Sequence, residues 1–270
     1  MKRRATTKDW MPLARSEKGA TEVPTGEAFR PEWIDFERGI RVGNLEPHER
    51  ITRILKYNLE TRYGTDFVTD RFGRGVYWRW IAWFPRANRD AKPEGSRTDW
   101  GCAKFYISQD MSARVFHCGL TVERGYVSGT PFSPTALLGP GWDWHRLMKQ
   151  CARDTEVDRE MRRLVVREGF TMSVTSSPAT RVFTKTDFES AAQVRQAARK
   201  APDDDWAAFD VFYPMPEAEL RASSGLEIVT AILGAFGETV PLMNLVMQVS
   251  LGDRGSETPS GTPRAPRSRR

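Results

Sequence analysis

Residues 77–90 read YWRWIAWFPRANRD, the densest aromatic stretch of the chain. Tyr77, Trp78, Trp80, Trp83 and Phe84 sit around Ile81 and Ala82, and Pro85 closes the run. Aromatic and β-branched residues favour a pleated strand, and proline ends one because it lacks the ladder N–H. Side chains alternate along a strand, so Tyr77, Arg79, Ile81 and Trp83 share one face and Trp78, Trp80, Ala82 and Phe84 the other. Both faces are heavily aromatic, and two readings stay open. In one, the strand is central and covered on both sides, with Arg79 snorkelling or paired to a carboxylate. In the other, one face stacks on bases, helped by arginine cation–π contacts.

Immediately downstream, FPRANRDAKPEGSRTDWG (84–101) carries Arg86, Arg89, Lys92 and Arg97 and no apolar drive to fold. It reads as an exposed loop, and such loops often hold function. Its acids Asp90, Glu94 and Asp99 offset much of the charge. The candidate nucleic-acid contacts are therefore Arg79, Trp80, Trp83, Arg86, Arg89, Lys92 and Arg97.

Further along, CAKFYISQ and ARVFHCGLTVE read as two strands joined through QDMSA, a hairpin. GTPFSPTALLGPGWD (129–143) is loop, from its glycines and prolines. DWHRLMKQCARD and TEVDREMRRLVVREG read as one interrupted helix or two short ones, stopped by Gly169. FTMSVTSS and TRVFTKT suggest a second hairpin, and WAAFDVFYPMP a last strand. Upstream, Ile51, Ile54, Leu55 and Leu59 follow helical spacing, Tyr57 falls off register, and Gly64 stops the helix. In TDFESAAQVRQAARKAP, Thr186 with Glu189 three residues on forms a capping-box pattern. The final apolar helix spans about 224–249, with Pro241 expected to kink or split it. Strands in runs, flanked by helices, predict an α+β fold with a mainly antiparallel sheet. One globular unit is expected over 29–250. Basic tails at 1–28, where Trp10 could anchor, and at 251–270 are expected to be disordered.

The chain has 270 residues and a net charge of +6. Residues 1–25 hold six basic and three acidic residues, and residues 251–270 hold five and two. The whole excess therefore belongs to the tails, whereas a dedicated DNA-binding domain usually carries it on the folded unit. Three cysteines and a charged N-terminus with no apolar segment after it predict a reducing, cytoplasmic setting without a disulfide framework or a membrane span.

Catalytic and metal signatures are sparse. Neither Cys-x-x-Cys nor His-Glu-x-x-His occurs, and His117 and Cys118 are adjacent on a strand, facing opposite ways. Ser128 has no nucleophile elbow after it. Gly73 and Gly75 open onto a strand, so they read as a turn rather than a phosphate loop. Asp203, Asp204 and Asp205 could hold Mg²⁺, but a solvated loop accounts for them as well. No cofactor is expected. An acid–base pair of His117 and Glu123, with Arg124 beside it, is permitted by their shared strand face.

The strand RWIAWF, the charged loop, KFYISQD, VFHCGLTVERGY and the closing LEIVTAILGAFGETVPLMNLVMQ together resemble the N-terminal DNA-binding domain of McrB-type restriction subunits. The likeness covers about residues 46–127 and 225–248 and consists of general aromatic and apolar positions. A helix-and-strand insertion separates its two blocks, and no GTPase motor follows. It also extends to bacterial domains with no assigned function. The resemblance implies a bacterial module for DNA reading or antiviral defence, with a base held among aromatic residues. Three expectations follow. One is a non-catalytic module binding nucleic acid; another is an interaction subunit meeting protein partners through its apolar final helix; the third is an enzyme with an unrecognised site.

Overall fold

The aromatic stretch runs through one nine-stranded antiparallel sheet in the computed structural model, which describes residues 24–92, 101–124, 141–202 and 205–252. The basic tails with Trp10, Arg97, Ser128 and most of its Gly- and Pro-rich loop, and Asp203 with Asp204 lie outside the described residues. The strands are β1 (Ile34–Asp35), β2 (Gly39–Arg41), β3 (Phe67–Arg74), β4 (Tyr77–Pro85), β5 (Ala103–Asp110), β6 (Val115–Glu123), β7 (Thr171–Ser176), β8 (Thr180–Phe183) and β9 (Ala207–Pro216). Their order is β1-β2-β4-β5-β6-β9-β7-β8, with β3 also paired to β4. The helices are α1 (Ile51–Tyr63), α2 (Arg86–Asp90), α3 (Asp143–Gln150), α4 (Glu156–Arg162), α5 (Ala191–Ala198), α6 (Glu217–Ala222) and α7 (Gly225–Val246). This is the α+β fold that the sequence predicts.

Local chemistry sets the elements. Helix α1 buries Ile51, Ile54, Leu55 and Leu59 and leaves Tyr57 exposed. It ends at Gly64, whose φ of 62° is left-handed and costs glycine no Cβ clash. In the β5–β6 hairpin Asp110 Oδ1 accepts the N–H groups of Ser112 (2.9 Å) and Ala113 (2.8 Å). Strand β6 then pairs with β9 from Val115↔Pro216 to Glu123↔Ala208. A Cβ on Gly119 would lie 2.0 Å from the Val211 carbonyl oxygen, so this ladder tolerates only glycine there.

Two expectations are corrected. Helix α5 starts later than Thr186: Ser190 and Gln193 form its capping box. Thr186 is taken up instead in a turn where Asp187 Oδ2 accepts the Thr184 hydroxyl at 2.7 Å, and Thr184 and Thr186 bond at 2.9 Å. Pro241 does not split α7, which is one 22-residue helix. By length and composition alone α7 is long and apolar enough to cross a membrane. Ile228, Ile232, Phe236 and Met243 along it are nevertheless packed into the core.

The two faces of the sheet differ. One carries the main hydrophobic cluster, where Ile81, Trp83, Phe105, Leu120 and Phe209 meet apolar residues from α1, α3, α4, α5 and α7. The opposite face carries two small clusters, Ala82, Tyr106 and Phe212 with Trp80 against them, and Phe84, Cys102 and Trp142 with Val68, with a polar row of Asp70, Lys104 and Glu123 beside them.

Candidate nucleic-acid interface

The aromatic strand divides between those faces. Trp83 is fully buried; its ring lies 6.1 Å from Phe236 and its Nε1–H donates to the Thr52 carbonyl at 3.3 Å. It cannot stack on a base. Trp80 is half-buried on the opposite face. Trp78, placed with Trp80 by simple alternation, belongs to the main core instead. The β3–β4 register slips between Phe72 and Gly73, pairing Phe72 with Trp80 and Gly73 with Trp78. Arg79 is thereby left without a partner opposite, a β-bulge that re-aims the strand end.

The basic segment after the strand also departs from its reading as an exposed loop. Residues 86–90 form α2, with Asn88 buried. Lys92 is buried too: its ammonium pairs with Asp143 and donates to Asn88 Oδ1 at 3.2 Å. Asp143 further accepts Asn88 Nδ2 and the Ala103 N–H, each at 2.8 Å. An apolar-looking drive was absent from the sequence because the drive is polar: a buried charge needs a partner, and Asp143 supplies it. Arg86 is exposed and 3.9 Å from Asp66; Arg89 is half-buried and engaged, and Arg79 is exposed. The expected contacts are therefore not one surface.

The polar row across the sheet is a second buried network. Lys104, fully buried, donates to Asp70 Oδ2 at 2.8 Å and Glu123 Oε2 at 2.5 Å, and lies 5.2 Å from the Trp80 ring centre. Burial would lower its pKa, but Glu123 and Asp70 outweigh that and hold the ammonium above the usual lysine range. Glu123 also accepts Trp206 Nε1 at 3.1 Å. Nearby, burial pushes Asp210 up to about 7, against hydrogen bonds from Thr121 and Ser173. Tyr106 is raised by its own burial and by Asp210. His117 is lowered to about 4 by burial and stacks on Phe212 with ring centres 4.0 Å apart.

His117 and Glu123 do share this face, but six residues of strand separate them by about 20 Å, so they make no acid–base pair. Arg124 is a clamp, donating to the carbonyls of Ala201 (3.1 Å), Pro202 and Asp205 (2.8 Å). Burial pushes the Cys102 and Cys151 thiols up to about 12 and Cys118 upward as well, so none is a thiolate at neutral pH.

Open concavity lies elsewhere, beside α3 and α5. A cavity of about 640 Å³ is bordered by His145 and Lys149 of α3 and by Arg195 and Arg199 at the end of α5, over Trp144, Met148 and Ala198. A second, of about 540 Å³, adjoins it and shares Arg195 and Arg199, adding Arg153 and Lys200. Of the described residues lining either, Glu189 is the one acid. None of Lys149, Arg153, Arg195, Arg199 and Lys200 makes an ion pair with another described residue. The packing explains the geometry. Trp144 and Leu147 hold α3 to the core while Ala191, Val194 and Ala198 hold α5, so the stripes next to these core-facing ones border the gap. The helix C-termini favour cations by about 0.3–1 kcal/mol each. That accounts for a cation at each end, but not for five around one groove.

The chain matches no protein-family model and no curated protein.

The groove cations were missed in the sequence because each helix looked ordinary alone. The available signal was spacing: His145 and Lys149, and Arg195 and Arg199, are each four apart, the distance at which helical side chains are neighbours. Arg195 and Arg199 are like charges so placed and oppose helix formation slightly, which makes that pair informative.

Proposed function

We propose that this chain is a non-catalytic nucleic-acid-binding module, and that the groove between α3 and α5 takes the phosphate backbone. The observation that carries the reading is a set of five cations around two joined concavities that make no ion pair with another described residue. Holding like charges together is unfavourable, and a bound polyanion relieves it while releasing counterions. Two adjoining concavities with a shared basic wall suit a ligand with repeated phosphates. The McrB-type resemblance supports the same class and adds a DNA-reading, defence-related role in the bacterial cytoplasm. Trp80 and Arg79 stay as secondary contacts; Trp83 and Lys92 do not.

Fluorescence anisotropy of the full chain with labelled DNA over a salt series tests this. Arg195→Ala with Arg199→Ala is expected to weaken binding at least about tenfold and to lower the salt slope by about two. Arg86→Ala with Arg89→Ala is expected to leave affinity within about twofold. The reverse pattern would return the interface to the aromatic strand.

A second reading, an interaction subunit of a protein assembly, is favoured by one feature. Phe72 is 70% exposed near the β3–β4 turn. Size-exclusion chromatography of the wild type and of Phe72→Ser tests it: oligomers lost in the variant support it, and a monomer throughout counts against it.

A further inference from the structure

We infer that the larger concavity of the groove takes an unstacked nucleobase, so that the ligand is single-stranded nucleic acid rather than intact duplex. This rests on the phosphate-binding reading of the same groove and specifies its substrate class.

The two concavities are lined differently. The smaller one adds Ser190, Ala192, Gln193 and Gln196 to its cations and has neither an aromatic ring nor a thioether. The larger is floored mainly by half-buried Met148, with only the edges of buried Trp144 and Ala198 showing beside it. Trp144 and Ala198 belong to the main core, and Met148 packs against it, so this floor is fixed from behind. A phosphate gains nothing from an apolar floor. A base does, because its faces are apolar and polarisable and stack on rings and thioethers alike. His145 borders the same cavity and supplies an aromatic ring.

Size and charge agree. About 640 Å³ lies within the range of about 300–1,000 Å³ usual for small-molecule sites. Arg195 and Arg199 form the wall common to both concavities. A base on the apolar floor therefore sets its own phosphate against that wall and the next phosphate in the smaller concavity. In a duplex each base face is covered by its neighbours, and exposing one means breaking the stack. Single strands present bases without that step.

The test compares three labelled probes on the full chain by anisotropy at one salt concentration: single-stranded oligothymidine, an abasic strand with the same number of phosphates, and a duplex of equal length. The base-bearing strand is expected to bind at least about tenfold tighter than the abasic strand, with the duplex also weaker than the base-bearing strand. His145→Ala and Met148→Ala are expected to narrow the gap while leaving the abasic affinity unchanged; His145 is the variant to rely on if replacing half-buried Met148 disturbs the fold. Equal affinity for the base-bearing and abasic strands, or tighter binding of duplex, overturns the base pocket and leaves the phosphate groove standing. Failure of all probes, or binding indifferent to Arg195→Ala with Arg199→Ala, overturns the groove itself and this inference with it.

Discussion

Two sets of cations carry the same formal charge in opposite settings. Lys92 and Lys104 have fully buried side chains, and each holds at least one carboxylate. Lys149, Arg153, Arg195, Arg199 and Lys200 line an open groove and hold none among the described residues. In the first setting the charge is consumed within the protein, and its removal strands a partner in a low-dielectric interior. In the second the charge is exposed or half-buried at the surface of the groove. A count of basic residues cannot separate the two; burial and pairing do.

The largest effect that would sharpen this contrast is on stability. Lys104→Met leaves Asp70 and Glu123 facing one another without a counter-charge and is expected to cost about 3–5 kcal/mol, read from urea unfolding. Adding Glu123→Gln should recover part of it. A loss under about 1 kcal/mol would mean that the network opens to water, and the contrast with the groove would collapse.

Next comes pH. Folded Asp210 holds its proton up to about 7, whereas its ordinary value is 3.8. Between those values the folded state binds more protons than the unfolded one, so this group makes stability fall as pH rises from about 4 to 7 and level off above. The span is worth on the order of 2–4 kcal/mol. His117 acts with the opposite sign. Its folded value of about 4 lies below the ordinary 6.5, so its contribution is lost as pH falls through that window. Asp210→Asn should therefore raise stability at pH 8 and unmask a loss on acidification below 6.5. An unchanged pH profile would show that Asp210 is hydrated when folded.

The groove predicts a smaller energy of another kind. Arg195→Ala with Arg199→Ala is expected to cost at least about 1.4 kcal/mol of nucleic-acid affinity while folding stability moves by no more than about 0.5 kcal/mol. A large loss of stability would make these arginines structural, like Lys104. Smallest of all is Arg79→Ala, at a solvent-facing bulge, expected within about 0.5 kcal/mol on stability and within about twofold on DNA affinity.

The sequence made the sheet legible wherever one short-range rule governed. Period-two patterning marked β4, β5, β6 and β9, and helical spacing with Gly64 marked α1. It failed where two distant segments decide one outcome. The bulge at Arg79 depends on Gly73 in the partner strand, so Trp78 crossed to the other face unannounced. The burial of Lys92 depends on Asp143, which no local pattern links to it. The groove needed α3 and α5 to be placed side by side, and that follows from how both bury their apolar stripes, not from either helix. Where the candidate contacts were chosen by aromatic and arginine density, the densest segment proved to be mostly core.

The pairing of β6 with β9 has a consequence for how the chain is made. Val115 waits for Pro216, and β7 and β8 lie beyond β9 in the sheet. During synthesis β6 therefore leaves the ribosome long before the strand that covers its edge. Until then its N–H and C=O groups form an open template, of the kind that recruits foreign strands. Closing that gap late, over a long loop, slows folding. The nascent chain accordingly has a window in which the edge of β6 is open to mispairing before β9 is made.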